Sequence, residues 1–212
     1  MAAHTDEAKV AQSREVLLDV AERLMSQKGY AGTSVSAICK GAGVAATSLY
    51  WHFGSKEGLL AAVMERGARR WFAALPRWDQ LDGGVQARAE TVVRGGAAAV
   101  GAHPAFLRVF YMLALEDHDD AAVAELIGRV RQRAADYFRS LIIGMLSDEE
   151  PHIAEAAATE LTPFAVAYSD GCFFAAKLES ADLYRMYTDL LAALRALAPA
   201  ATDRARREGT GS

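Results

Sequence analysis

Cysteine is nearly absent from this chain of 212 residues: Cys39 and Cys172 are the only two. Their wide separation supports neither a disulfide framework nor a zinc-ligand spacing. Cys39 falls on an apolar helical stripe and Cys172 in an apolar run, so both read as small core residues. A redox sensor would instead want an exposed thiolate beside basic groups. Alternating apolar and polar residues, the mark of a half-buried strand, are also missing, as is any repeat of fixed period. Apolar stretches are too short and interrupted to span a bilayer. The start, Met1-Ala2-Ala3-His4-Thr5-Asp6-Glu7, is polar and acidic, unlike a signal peptide, so a cytoplasmic protein is expected. No nucleophile, paired acid and base, or metal cluster stands out, so the expectation is a protein that is not an enzyme, with no cofactor and no metal.

One absence is local. Between Arg23 and Lys56 there is no Asp or Glu, while Arg23, Lys28, Lys40 and Lys56 are basic, in a chain with 23 Lys+Arg against 27 Asp+Glu overall. That reversal points to a polyanionic partner.

What the chain has in quantity is hydrophobic residue, 52% of the total, which excludes disorder and allows a small domain beside a larger one. Almost every segment follows the helical period. Val16, Leu17, Val20, Ala21, Leu24 and Met25 form the stripe of a first helix that starts by Ser13 and stops at Gly29. Thr33 or Ser34 can cap a second helix whose inner face is Val35, Ile38, Cys39 and Ala42, and Gly43 can end it with a positive φ. Val44, Leu49 and Phe53 can face inward from a third, very short helix that carries Ala46, Thr47 and Ser48 at its amino end and Tyr50, Trp51 and His52 behind them. Gly54 closes it, and Ser55 caps a linking helix that runs to about Leu75. Two crossed helices joined by a short glycine turn form a helix-turn-helix, whose second helix reads the DNA major groove.

These residues resemble the DNA-binding domain of the TetR family of bacterial transcription regulators. The resemblance rests on Thr33-Ser34, Ala42-Gly43-Val44, Leu49-Tyr50-Trp51-His52-Phe53 and Ser55-Lys56, and covers roughly the first quarter of the chain. It implies a DNA-binding set of Thr33, Ser34, Ala46, Thr47, Ser48, Tyr50, Trp51, His52 and Lys56. Within that set, Ser34, Tyr50, His52 and Lys56 would contact phosphate, and Ala46, Thr47, Ser48 and Trp51 would lie nearest the bases. Tyr50 and Trp51 could equally pack against the first helix. Relatives often carry a long polar side chain at the position of Ala46; alanine offers only a methyl contact, which shifts specificity to Thr47, Ser48 and DNA shape.

The remaining helices are expected near 85–100, 104–115, 120–146, 151–178 and 182–197, with Pro163 kinking or splitting the fourth of these. The expected fold is all-α. It divides into a helix-turn-helix domain over 1–54, a larger helical ligand-binding and dimerisation domain over 55–200, and a disordered tail over 201–212 that includes Arg204, Arg206 and Arg207.

Phe173, Phe174, Leu183, Met186, Tyr187, Leu190 and Leu194 are expected at a homodimer interface. The resemblance implies pairing of the last two helices, and a two-fold dimer would read two half-sites. Trp71, Phe106, Phe110, Tyr111, Tyr137, Phe164 and Tyr168 are available to line a small-molecule pocket between helices. Gly95-Gly96, inside a helix, signals either close helix contact or room for a ligand. Glu116-Asp117-His118-Asp119-Asp120 resembles a hard metal site, but reads more simply as a solvated loop whose Asp119 or Asp120 caps the next helix. The expected function is a repressor released from a palindromic operator, double-stranded DNA, by a small apolar or amphipathic effector. The alternative is a helix-turn-helix DNA-binding protein without a ligand.

Overall fold

The computed structural model describes residues 2–116 and 121–209, with only the helical backbone given for residues 2–9. Asp117 to Asp120 and the last three residues lie outside the described residues, and with them most of the acidic run. Among the described residues the chain is all-helical, with no strand.

It divides into two compact units. The first holds residues 1–72 and 103–128: α1 (Ala2–Lys28), α2 (Val35–Ala42), α3 (Ala46–Phe53), most of α4 (Lys56–Ala74), α6 (Pro104–Leu115) and the start of α7 (Ala121–Met145). Leu17, Leu18, Ala21, Met25, Ile38, Leu49, Leu59 and Met64 form a fully buried core. Leu18 takes the place in that core expected of Val16, which is exposed. Gly43 ends α2 at φ 67°, left-handed as the turn requires, and its N–H bonds the carbonyls of Cys39 and Lys40. Gly67 of α4 lies so close to Phe106 of α6 that an added Cβ would fall 2.3 Å from the ring. The compact unit therefore runs past the boundary expected at residue 54, because α4 and α6 build its core with α1.

The second unit holds residues 73–102 and 129–212: a short 3-10 turn (Trp78–Gln80), α5 (Val85–Ala102), the rest of α7, α8 (Pro151–Leu178) and α9 (Leu183–Gly209). Helix α8 is unbroken across Pro163, so the expected split does not occur. Helix α9 also continues through Pro199, and the tail expected to be disordered from 201 is helical to Gly209. There Ala201, Thr202 and Ala205 are buried, Arg204 pairs with Glu160, and Arg206 with Glu149. The glycine pair is explained by close contact: Cβ atoms on Gly95 and Gly96 would meet the ring of Pro76 and the ring of Tyr187.

Candidate nucleic-acid interface

Helix α3 is held from beneath and left open above. Leu49 is its fully buried residue, while Val44 and Phe53 are half-buried at its two ends. The opposite face presents Ala46, Thr47, Tyr50 and Trp51 to solvent, with Ser48 half-buried. Tyr50 is 51% and Trp51 71% exposed. Packing of these two aromatics against α1, the plainer of the two expectations, is thus not what the structure shows. An exposed tryptophan beside an exposed tyrosine on an eight-residue helix leaves apolar surface in solvent that a second molecule could cover. No side chain caps the amino end of α3. The Ser48 N–H bonds the Ala45 carbonyl at 3.0 Å, which leaves the N–H groups of Ala46 and Thr47 to meet a partner's acceptors, phosphate oxygens among them.

The remaining expected contacts divide by what already holds them. Ser34 is exposed and caps α2, its Oγ accepting the Ala37 N–H at 3.1 Å. Thr33 is buried, and its hydroxyl donates to the Gly29 carbonyl at 2.7 Å. Thr33 therefore closes the α1–α2 turn and does not face a ligand. His52 is half-buried with Nε2 2.7 Å from Ser13 Oγ of α1. Burial, and after it the charge of Arg14, hold its imidazole below the ordinary histidine range. Tied to Ser13, the ring helps orient α3 on α1. Lys56 donates from Nζ to the Tyr30 carbonyl at 2.8 Å and lies 4.1 Å from the centre of the Tyr30 ring. The Tyr30 hydroxyl in turn donates to Glu57 at 2.9 Å. Lys56 thus anchors the start of α4, with its remaining N–H donors able to reach outward.

Sequence reasoning missed Arg66 of α4, 3% exposed and bonded to Glu15, Asp19 and Glu22 of α1. The signal was present: those acids sit at i, i+4 and i+7, one face of a helix.

The residues expected to line a ligand pocket fall in both units. In the first, Trp71, Phe106 and Phe110 form a buried row with ring centres 6.4 Å apart at each step, and Tyr111 is half-buried beside Phe110. In the second, Tyr137 is half-buried and donates to the Pro76 carbonyl at 3.1 Å. Phe164 is exposed and Tyr168 half-buried. Two cavities of about 310 and 440 Å³ in this unit share Glu149 and Arg206, and neither is lined by any of the seven aromatics.

The expected dimer residues divide similarly. Phe173, Tyr187, Leu190 and Leu194 are buried within one chain, where α9 packs on α5 and α8, so they are not available to a second chain. Leu183 and Met186 are half-buried, and Phe174 is exposed.

Residues 17–63 match the family model described as bacterial regulatory proteins, tetR family. The transcriptional regulator AcrR of Shigella flexneri is 44% identical over 54 residues, 26% of this chain and 25% of AcrR. The transcriptional repressor ComR of Escherichia coli is 40% identical over 60 residues, 28% of this chain and 29% of ComR. These matches cover about a quarter of the curated relatives' length. Over most of the chain the fold is that of solved structures. SmeT in complex with triclosan aligns with a TM-score of 0.67 at 23% identity, over 86% of this chain and 91% of its own. A chain from Saccharomonospora viridis solved with choline aligns with a TM-score of 0.68 at 17% identity, over 85% and 94%.

Proposed function

By its amino-terminal domain this chain belongs to the TetR family of bacterial regulatory proteins, and we propose that it is a DNA-binding repressor released from a palindromic operator by a small, largely apolar molecule. The observation that carries the proposal is the outward face of α3: two hydroxyls, two exposed aromatics and an uncapped amino end, all supported on Leu49. In the groove, Thr47, Ser48, Trp51 and the methyl of Ala46 would meet base edges, with Ser34, Tyr50 and Lys56 on phosphates and His52 orienting the helix.

The working form is a homodimer, since one such helix reads too few base pairs and two-fold symmetry supplies the second half-site. Its contact draws on the apolar side chains that α8 and α9 still expose, among them Phe164, Phe174, Leu178, Tyr184 and Leu197.

For the effector, support comes from the Trp71–Phe106–Phe110 row. The Trp71 indole N–H is buried there without a hydrogen-bond partner among the described residues. A buried donor left open is unusual, and an apolar ligand with one acceptor would satisfy it. SmeT with triclosan and the Saccharomonospora chain with choline show that small organic molecules bind proteins of this fold. A coupling of about 1 to 3 kcal/mol between effector and DNA would change operator affinity roughly 5- to 150-fold.

No single helix among the described residues is long and apolar enough to cross a membrane. The proposed location is the cytoplasm, because the operator this reading requires is there.

The test is fluorescence anisotropy of the purified protein on the DNA flanking its own coding sequence, across a salt series with excess nonspecific competitor. Tight binding that survives competitor and protects a two-fold symmetric site supports the proposal. Binding that disappears with modest salt reports phosphate attraction alone and counts against it.

A further inference from the structure

Arg66 is a buried cation on an otherwise apolar face of α4, where Leu59, Leu60, Val63, Met64 and Ala68 are buried with it. Its Nη1 donates to Glu15 at 3.1 Å and to Asp19 at 2.7 Å, and its Nη2 donates to Glu22 at 2.7 Å. One guanidinium thus spans seven residues of α1, about 10 Å along the helix axis. Its Nε–H is buried without a partner among the described residues.

Stability does not explain this arrangement. An apolar side chain of similar volume in place of a buried ion pair is often neutral or stabilising, and an orphaned donor is a further cost. A guanidinium provides direction instead. Apolar contacts are non-directional, so two greasy helix faces tolerate sliding and rotation, whereas a planar fork bonded to three carboxylates spaced along α1 does not. The next residue, Gly67, admits the Phe106 ring of α6 against α4. Helix α4 is therefore held by α6 through shape and by α1 through charge, and α1 in turn carries both α2 and α3.

We propose that Arg66 is a positioning residue that locks the register of α4 on α1, and so sets the direction in which α3 is presented to DNA. The proposal rests on the reading of the chain as a dimeric operator-binding protein. Simultaneous use of two half-sites needs a fixed presentation of each recognition helix, whereas a single half-site does not.

The experiment uses the full chain and a duplex selected from a random-sequence library by the wild-type protein, alongside the same duplex with one half-site scrambled. Arg66→Met should lower affinity for the intact duplex about tenfold, within the usual range of coupling between sites, and leave the single half-site affinity unchanged. Arg66→Lys, which keeps the charge but not the fork, should fall between. Equal losses on both duplexes, or no loss on either, would overturn the lock. Asp19→Ala/Glu22→Ala removes two of the three acceptors on α1 and carries the same comparison should Arg66→Met fail to fold. If the wild type selects no duplex, the operator-binding reading fails and takes the lock with it. If the wild type prefers the intact duplex and the variants prefer it equally, the lock alone fails.

Discussion

Helices α3 and α9 both display runs of aromatic and aliphatic residues, yet α3 leaves Tyr50 and Trp51 in solvent while α9 buries Tyr187, Leu190 and Leu194 within its own chain. The difference lies in what each helix has beside it. Helix α3 is eight residues long and rests on α1 and α2 through Leu49, too small a contact to cover its outer side. Helix α9 is 27 residues long and packs against both α8 and α5. An apolar stripe states that a surface must be covered; it does not say whether the same chain or another molecule covers it. The small residues of the neighbour decide that, and Gly96 of α5, seated against the Tyr187 ring, is the one that assigns Tyr187 to the interior.

The contrast is tested most severely at Leu49, since α3 has no second fully buried side chain. Leu49→Ala should cost about 2 to 5 kcal/mol, the usual range for a large buried aliphatic truncated to alanine. Denaturant unfolding followed by circular dichroism measures it. A loss below about 1 kcal/mol would mean that α3 is secured from its outer face after all.

A smaller effect is expected in the interior of the second unit. The Tyr187 hydroxyl and Ser169 Oγ are 2.8 Å apart and buried. Tyr187→Phe leaves Ser169 without that partner and should cost about 1 kcal/mol, read as a lower urea midpoint at unchanged slope. If Tyr187 instead met a second chain, the same variant would weaken association and make its melting temperature depend on protein concentration.

Most of the fold was legible in the sequence because its punctuation is local. The bounds of α6 and α8 coincide with the expected ones: Pro104 and Pro151 are pre-set for a first helical turn, and the turns after Leu115 and Leu178 are polar. Pro163 misled toward a split helix, and α9 runs on through Pro199 past the end expected near residue 197, because a proline's lost bond is a local cost that packing can outweigh. Thr162 and Ala165 beside the first, and Ala201 and Thr202 beyond the second, are buried. The helix-turn-helix was visible for the same reason: Gly43, Leu49 and Gly54 act within a few residues of themselves. Arg66 was not, since its partners lie 44 to 51 residues away in sequence. The buried row of Trp71, Phe106 and Phe110 shows the limit for pockets, because composition cannot separate an aromatic that lines a cavity from one that fills it.

His52 sharpens the comparison from the underside of α3. Burial and Arg14 hold its folded-state imidazole below its ordinary value, so the unfolded chain takes up a proton more readily than the folded one. Its contribution to stability is therefore present above about pH 6.5, the ordinary histidine value, and is lost as pH falls from there through the lower folded-state value. Wild type should lose more melting temperature than His52→Gln between about pH 7.5 and 5.5. Equal losses would show that the imidazole exerts no hold on α1.

Trp51 should give the smallest effect on stability and the most informative one. At 71% exposure it has little burial to lose, and its ring meets that of the adjacent His52, 4.7 Å between centres and edge-on. Trp51→Ala should leave unfolding free energy within about 0.5 kcal/mol of wild type, as surface substitutions do. If α3 is a reading surface, the same change should weaken binding to the selected duplex by about tenfold, on the order of 1.4 kcal/mol. It should leave nonspecific binding, which depends on phosphates, nearly unchanged. A variant unaltered in both respects would detach Trp51 from DNA and leave its exposure unexplained. A variant destabilised by more than about 1 kcal/mol would place its indole in the core of the domain, and the distinction drawn between α3 and α9 would then be one of degree.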